Sequence, residues 1–193
     1  MLGLAAILIA AGGLALTPLL GERSGDRVSD SDKAQITAAY SKVTAVQLTA
    51  VPQAEVKQAL DSMKLTPDAR RALQAALDAA PAASVANPAA APGANPSSSP
   101  QQGVTRLAYV TVWDSQTEDG DQVTLSSAGY ELPVRLAKVP QTFAVPVDAS
   151  ATIRVIGLYD GGGGITLGIQ SGSGAVMLPI MVPGQVLALP VAF

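Results

Sequence analysis

Val112-Trp113-Asp114-Ser115-Gln116-Thr117-Glu118-Asp119-Gly120-Asp121-Gln122-Val123-Thr124-Leu125 decides how this chain is read. On both sides of a carboxylate-rich loop, side chains alternate in the period of two that marks a β-strand. The loop holds Asp114, Glu118, Asp119 and Asp121 beside the only tryptophan in the protein. It is the densest concentration of reactive side chains in the sequence.

Working outward, the period stays at two from residue 104 to the end. Strands are predicted at 104–113, 122–127, 130–138, 142–147, 152–159, 165–170, 175–180 and 186–191. Short strands spaced by turn residues point to an antiparallel sandwich. Pro133, Pro146, Pro179 and Pro190 fall inside these strands, so they are expected at edges or bulges. The predicted core is Leu107, Tyr109, Trp113, Val123, Val134, Phe143, Val145, Ile153, Val155, Ile165 and Leu167. The first strand is ambiguous, because Val110 and Val112 lie on its other face and either face suits the interior.

Residues 81–102, PAASVANPAAAPGANPSSSPQQ, carry no charge and no large apolar side chain except Val85. Such a segment buries too little surface to offset its ordering entropy, so it reads as an extended linker. Before it, helical spacing predicts a helix over 31–50, with Ile36, Tyr40 and Val43 on one stripe and Val46 at its edge. A second helix is predicted from Pro52, with Val56, Leu60 and Met63 facing one way. Thr66-Pro67-Asp68 then restarts a helix that runs to about residue 80: a capping hydroxyl, proline in the first turn, and an acid at the positive end. The expected form is a helical hairpin packed on itself or on another copy of the chain.

Residues 1–20, MLGLAAILIAAGGLALTPLL, contain no charged side chain. Their length matches a helix crossing a bilayer, so a transmembrane anchor contacting membrane lipid is expected. A cleaved signal covering residues 1–16 is the competing reading, because Gly13-Leu14-Ala15 resembles a cleavage site, although no basic residue precedes the apolar run. The fold class expected is therefore α+β as separate parts. A transmembrane helix (1–20) and helical neck (21–80) lead through a linker (81–102) to an all-β antiparallel sandwich (103–193).

Composition excludes whole classes of chemistry. The chain has no cysteine and no histidine. Disulfides, thiolate nucleophiles, Ser-His-Asp and Cys-His catalysis and the usual zinc ligand sets are all ruled out. Residues 1–102 carry eight basic and eight acidic side chains, and residues 103–193 carry four and seven. That mildly acidic half lacks the basic stripe nucleic acid requires, so no nucleic-acid partner is expected.

Asp114, Glu118, Asp119 and Asp121, with Asp160 as a further candidate, offer oxygen ligands for calcium. Their spacing lacks the full alternation of an EF-hand. The competing reading is a hairpin-like turn at Asp119-Gly120 whose carboxylates accept backbone N–H groups. Acids crowded into one loop do not suit glycoside hydrolysis, which needs two across a cleft. Gly161 to Gly164 lack a P-loop lysine and read as a turn.

Trp113-Asp114, Glu118-Asp119-Gly120-Asp121-x-Val123 and the later Gly162-Gly163-Gly164-Ile165 resemble bacterial envelope and surface β-sandwich modules that carry an E-D-G-D-x-V turn. The resemblance covers the C-terminal half only. It implies a C2- or immunoglobulin-like sandwich acting in binding or assembly, and it designates no catalytic residue. The expected function is that of a non-enzymatic, membrane-anchored structural or interaction protein of a cell envelope or membrane-containing virion. Its β domain would face outward and meet a protein partner or further copies of the chain. The alternatives are a calcium-dependent module for a glycan or lipid headgroup, or a secreted binding domain if residues 1–16 are removed.

Overall fold

The computed structural model describes residues 28–79 and 105–193. Helix α1 (Asp30–Tyr40) leads into two short strands, β1 (Val46–Gln47) and β2 (Thr49–Ala50), and a 3-10 turn at Gln53–Glu55. Helices α2 (Val56–Ser62) and α3 (Pro67–Asp78) follow. The remainder is β3 (Arg106–Asp114), β4 (Gln122–Ser127), β5 (Tyr130–Arg135), β6 (Gln141–Val147), β7 (Thr152–Tyr159), β8 (Leu167–Ser171), β9 (Gly174–Met177) and β10 (Val186–Ala192). Each of the eight strands predicted from alternation has its counterpart among β3 to β10. The expected anchor at residues 1–20 and linker at 81–102 lie outside the described residues. Among the described residues, no helix is long and apolar enough to cross a membrane.

Two sheets enclose one core. The first is ordered β1-β10-β7-β4-β5; in the second, β3 joins β6 to β2, β8 and β9. One edge of β3 pairs with β6 from Arg106↔Val147 to Val112↔Gln141. Its other edge is divided between β2, at Tyr109 and Ala108, and β8, from Val112 to Asp114. Leu125, Ile153, Val155 and Leu189 of the first sheet meet Val110, Val112 and Ile169 of the second in a single buried cluster. Pro133 and Pro146 lie on β5 and β6, which are both edge strands, as expected of a residue with no N–H to donate, whereas Pro190 lies on β10, which pairs with β7 and β1.

Three expectations need correction. The helix predicted over 31–50 ends at Tyr40. Beyond it, β-branched Val43, Thr44, Val46 and Thr49 favour extended backbone, and burial decides the matter: Val46 is 1 % and Leu48 7 % exposed. Val46 pairs with Val191 of the first sheet, whereas Thr49 pairs with Tyr109 of the second, so this segment crosses between the sheets. Secondly, residues 46–63 do not stand apart from the sandwich. Val51, Ala59, Leu60 and Met63 join the same core, because a short helix with a narrow apolar stripe must bury it against something larger.

The third correction concerns the first long strand. Ala108, Val110, Val112 and Asp114 point inward; of the opposite face Leu107 is buried as expected, and Tyr109 and Trp113 are only partly buried. The Trp113 indole lies over Gly168 of β8, where a Cβ would stand 2.4 Å from Trp113 Cε2. A flat backbone surface thus accommodates the large ring on the outer face. Phe143 is likewise only partly buried, packed against the edge of the core.

The helix restart at Thr66 is as expected. Its side chain accepts the Ala69 N–H at 3.2 Å, with Pro67 in the first turn. Arg70 pairs with Asp61 of α2 and holds α3 against it.

Candidate functional site

Strand β3 ends at Asp114, and alternation places this residue on the inner face with Val110 and Val112. The carboxylate is thereby carried into the end of the core. Asp121 immediately precedes β4. Since β3 and β4 belong to different sheets, residues 115–120 cross from one sheet to the other and are not a hairpin. Gly120, at φ +103°, makes the sharp turn in a region that disfavours side chains.

Asp114 and Asp121 are both 0 % exposed, and Asp119 is half-buried. One oxygen from each of the three lies within 4.8 Å of the others. Thr166 links two of them: its N–H donates to Asp121 Oδ2 at 2.9 Å and its Oγ1 donates to Asp114 Oδ1 at 2.8 Å. Gln116 N donates to Asp114 Oδ1 at 2.9 Å, and Gly161 N to Asp121 Oδ1 at 3.0 Å. Two further oxygens, Asp114 Oδ2 and Asp119 Oδ1, are buried and meet no donor.

The tetraglycine turn forms the wall of this cluster. A Cβ on Gly161 would lie 2.2 Å from the Asp119 carbonyl oxygen, so only glycine lets the two loops touch. Asp160 is not a member: its Oδ1 accepts the N–H groups of Gly162 and Gly164 and closes its own loop. Glu118 is also elsewhere. Its Oε2 accepts the Lys138 N–H at 2.7 Å, while Lys138 Nζ donates to the Gln116 carbonyl. Of the four carboxylates singled out in the sequence, Asp114, Asp119 and Asp121 come together and Glu118 braces the neighbouring β5–β6 connection.

Among the described residues no Lys or Arg forms an ion pair with the cluster, although the Arg135 guanidinium stands beside Gly120. The ion pairs there are Lys33–Asp30, Arg70–Asp61 and Arg71–Asp68, all remote from it. Burial pushes the Asp121 carboxyl up from 3.8 to about 6. The N–H groups of Gly161 and Thr166 oppose that rise, while the Asp119 and Asp114 carboxylates add to it.

Comparison of the chain with protein-family models, curated proteins and solved structures finds no match. The site is therefore read from its own chemistry. It offers oxygen donors only, which suit a hard cation. Thr166 and Gly161 were not legible as members of the site. The one local signal for them was a glycine run following Asp160, a run that strips side chains from a stretch of backbone.

Proposed function

We propose that this chain is a non-enzymatic, membrane-anchored interaction protein that displays its β-sandwich on the outer side of a cell envelope or a membrane-containing virion. One observation carries the non-enzymatic reading. Asp114 and Asp121, the most chemically suggestive side chains, are fully buried and bonded to loop backbone. A general acid or base has to reach the proton it moves, and these two brace the end of the fold instead.

The same end of the sandwich carries exposed apolar side chains suited to a protein partner. Val139 is 73 % exposed in the β5–β6 connection, and Tyr159, paired with Gln122 at the end of β7, is 55 % exposed. Val182, whose carbonyl packs on Gly157, is 57 % exposed. The charge-free run at residues 1–20 supports the anchor and the Pro/Ala/Ser composition of 81–102 supports a spacer. Function would then be tethering, in which the anchor fixes location and raises the local concentration of the sandwich near its partner.

Membrane partitioning of the full-length chain tests this reading. Recovery with the membrane after a carbonate wash, with the sandwich open to protease from outside, is the expected result. A soluble mature chain beginning near Thr17 would overturn the tethering mechanism.

A further inference from the structure

We infer that Asp114, Asp119 and Asp121 form a binding site for a divalent cation, calcium, which joins the ends of the two sheets. The proposal goes beyond tethered display and does not depend on it. Acidic residues cluster on many surfaces without an ion, but this cluster differs in its burial. Asp114 is 0 % exposed and its Oδ2 meets no donor, in a residue that brings one carboxylate oxygen within 4.8 Å of oxygens from Asp119 and Asp121. Asp119 Oδ1 is in the same condition. A buried carboxylate oxygen left unpaired is costly, and a cation satisfies both at once.

The donor set selects the ion. With no histidine or cysteine in the chain, the soft and borderline metals lose their preferred ligands. Calcium takes oxygens at about 2.3–2.6 Å, so opposite ligands stand roughly 4.6–5.2 Å apart. Three oxygens within 4.8 Å of one another fit inside that span. Magnesium demands tighter octahedral geometry and is usually held by about one or two carboxylates, with water completing its shell. Three carboxylates on a turning loop, with backbone carbonyls nearby, suit calcium better.

The ligands also define what the ion would do. Asp114 closes a strand of the second sheet, Asp121 opens a strand of the first, and Asp119 rests on the tetraglycine turn. One ion bridges all three and fixes the crossing loop, together with the sandwich end that carries Tyr159.

The test is calcium titration of the full-length chain, solubilised in detergent and stripped with chelator, followed by calorimetry and thermal melting. Saturable binding at one ion per chain is expected. The melting temperature should rise by about 5–10 °C once calcium exceeds its Kd about 100-fold. Terbium in place of calcium should give emission sensitised through Trp113, the only tryptophan and the neighbour of Asp114. Asp119→Ala, which removes a carboxylate ligand but no hydrogen bond of the fold, should lose all three signals and remain folded. Glu118→Gln should keep them. Absence of any response up to about 10 mM calcium, roughly tenfold above the weak end for extracellular calcium modules, would overturn the proposal. So would an undiminished response in Asp119→Ala. Magnesium matching calcium at equal concentration would overturn the choice of ion.

Discussion

Gly161 and Asp119, from loops far apart in the sequence, are in backbone contact: a Cβ on Gly161 would lie 2.2 Å from the Asp119 carbonyl oxygen and 2.8 Å from its Oδ1. The contact is with backbone and cannot be relieved by a rotamer change. Gly161→Ala should therefore push the loops apart and cost about 1–3 kcal/mol, as overpacking does. Thermal melting would show it as a fall of several degrees. Gly129→Ala is the control for space, since its Cβ meets nothing within 4 Å, although its φ of +76° carries strain of its own.

Thr166 holds two carboxylates with two different donors. Thr166→Val keeps the N–H to Asp121 and removes the hydroxyl that donates to Asp114 Oδ1. The variant is nearly isosteric, so packing is preserved and a buried acceptor loses a partner. A loss of about 1–2 kcal/mol in urea denaturation is expected, with Thr166→Ser close to the parent protein.

The Asp121 carboxyl makes stability depend on pH in the direction opposite to a salt-bridged acid. Its folded value, about 6, lies above the ordinary 3.8, so the folded state holds the proton more tightly than the unfolded chain. That contribution is complete below the ordinary value and is lost as pH rises through 6. In chelator, stability should fall between about pH 4 and 6 by at most about 1.4 kcal/mol per pH unit from this group, and level off above that. Asp121→Asn should flatten the profile, and so should calcium in the parent protein. A profile identical in parent and variant would exclude the carboxyl as its source.

Leu60 of α2 is 1 % exposed and belongs to the sandwich core. Leu60→Ala should cost about 2–5 kcal/mol, as cavity formation does. The loss should appear in a transition followed through Trp113 fluorescence, although Trp113 lies on β3. A helical region that folded apart from the sandwich would leave the Trp113 signal unmoved.

Alternation over a few residues is a local property, and it was enough to place all eight strands from β3 to β10 near their observed limits. Thr66-Pro67-Asp68 likewise located the start of α3, because capping is satisfied within one turn. The absence of histidine and cysteine excluded thiolate and histidine-based catalysis and the usual zinc ligand sets without any structure. The acid loop, too, stood out as a place of interest.

Which face of β3 turned inward was not encoded locally, since Leu107, Tyr109 and Trp113 compete with Val110 and Val112. The pairing of Trp113 with Gly168 on β8 decided it by giving the indole a bare backbone to cover. Residues 46–50 carry a weak helical pattern, which pairing and burial against sequence-remote partners, Val191 and Tyr109, override. The carboxylate cluster became a site for the same reason. Gly161 and Thr166 reach Asp121 from 40 and 45 residues away, and Glu118 is drawn off by Lys138. Residue type and local spacing determined what each segment could become, whereas long-range pairing and burial determined which carboxylates share one space.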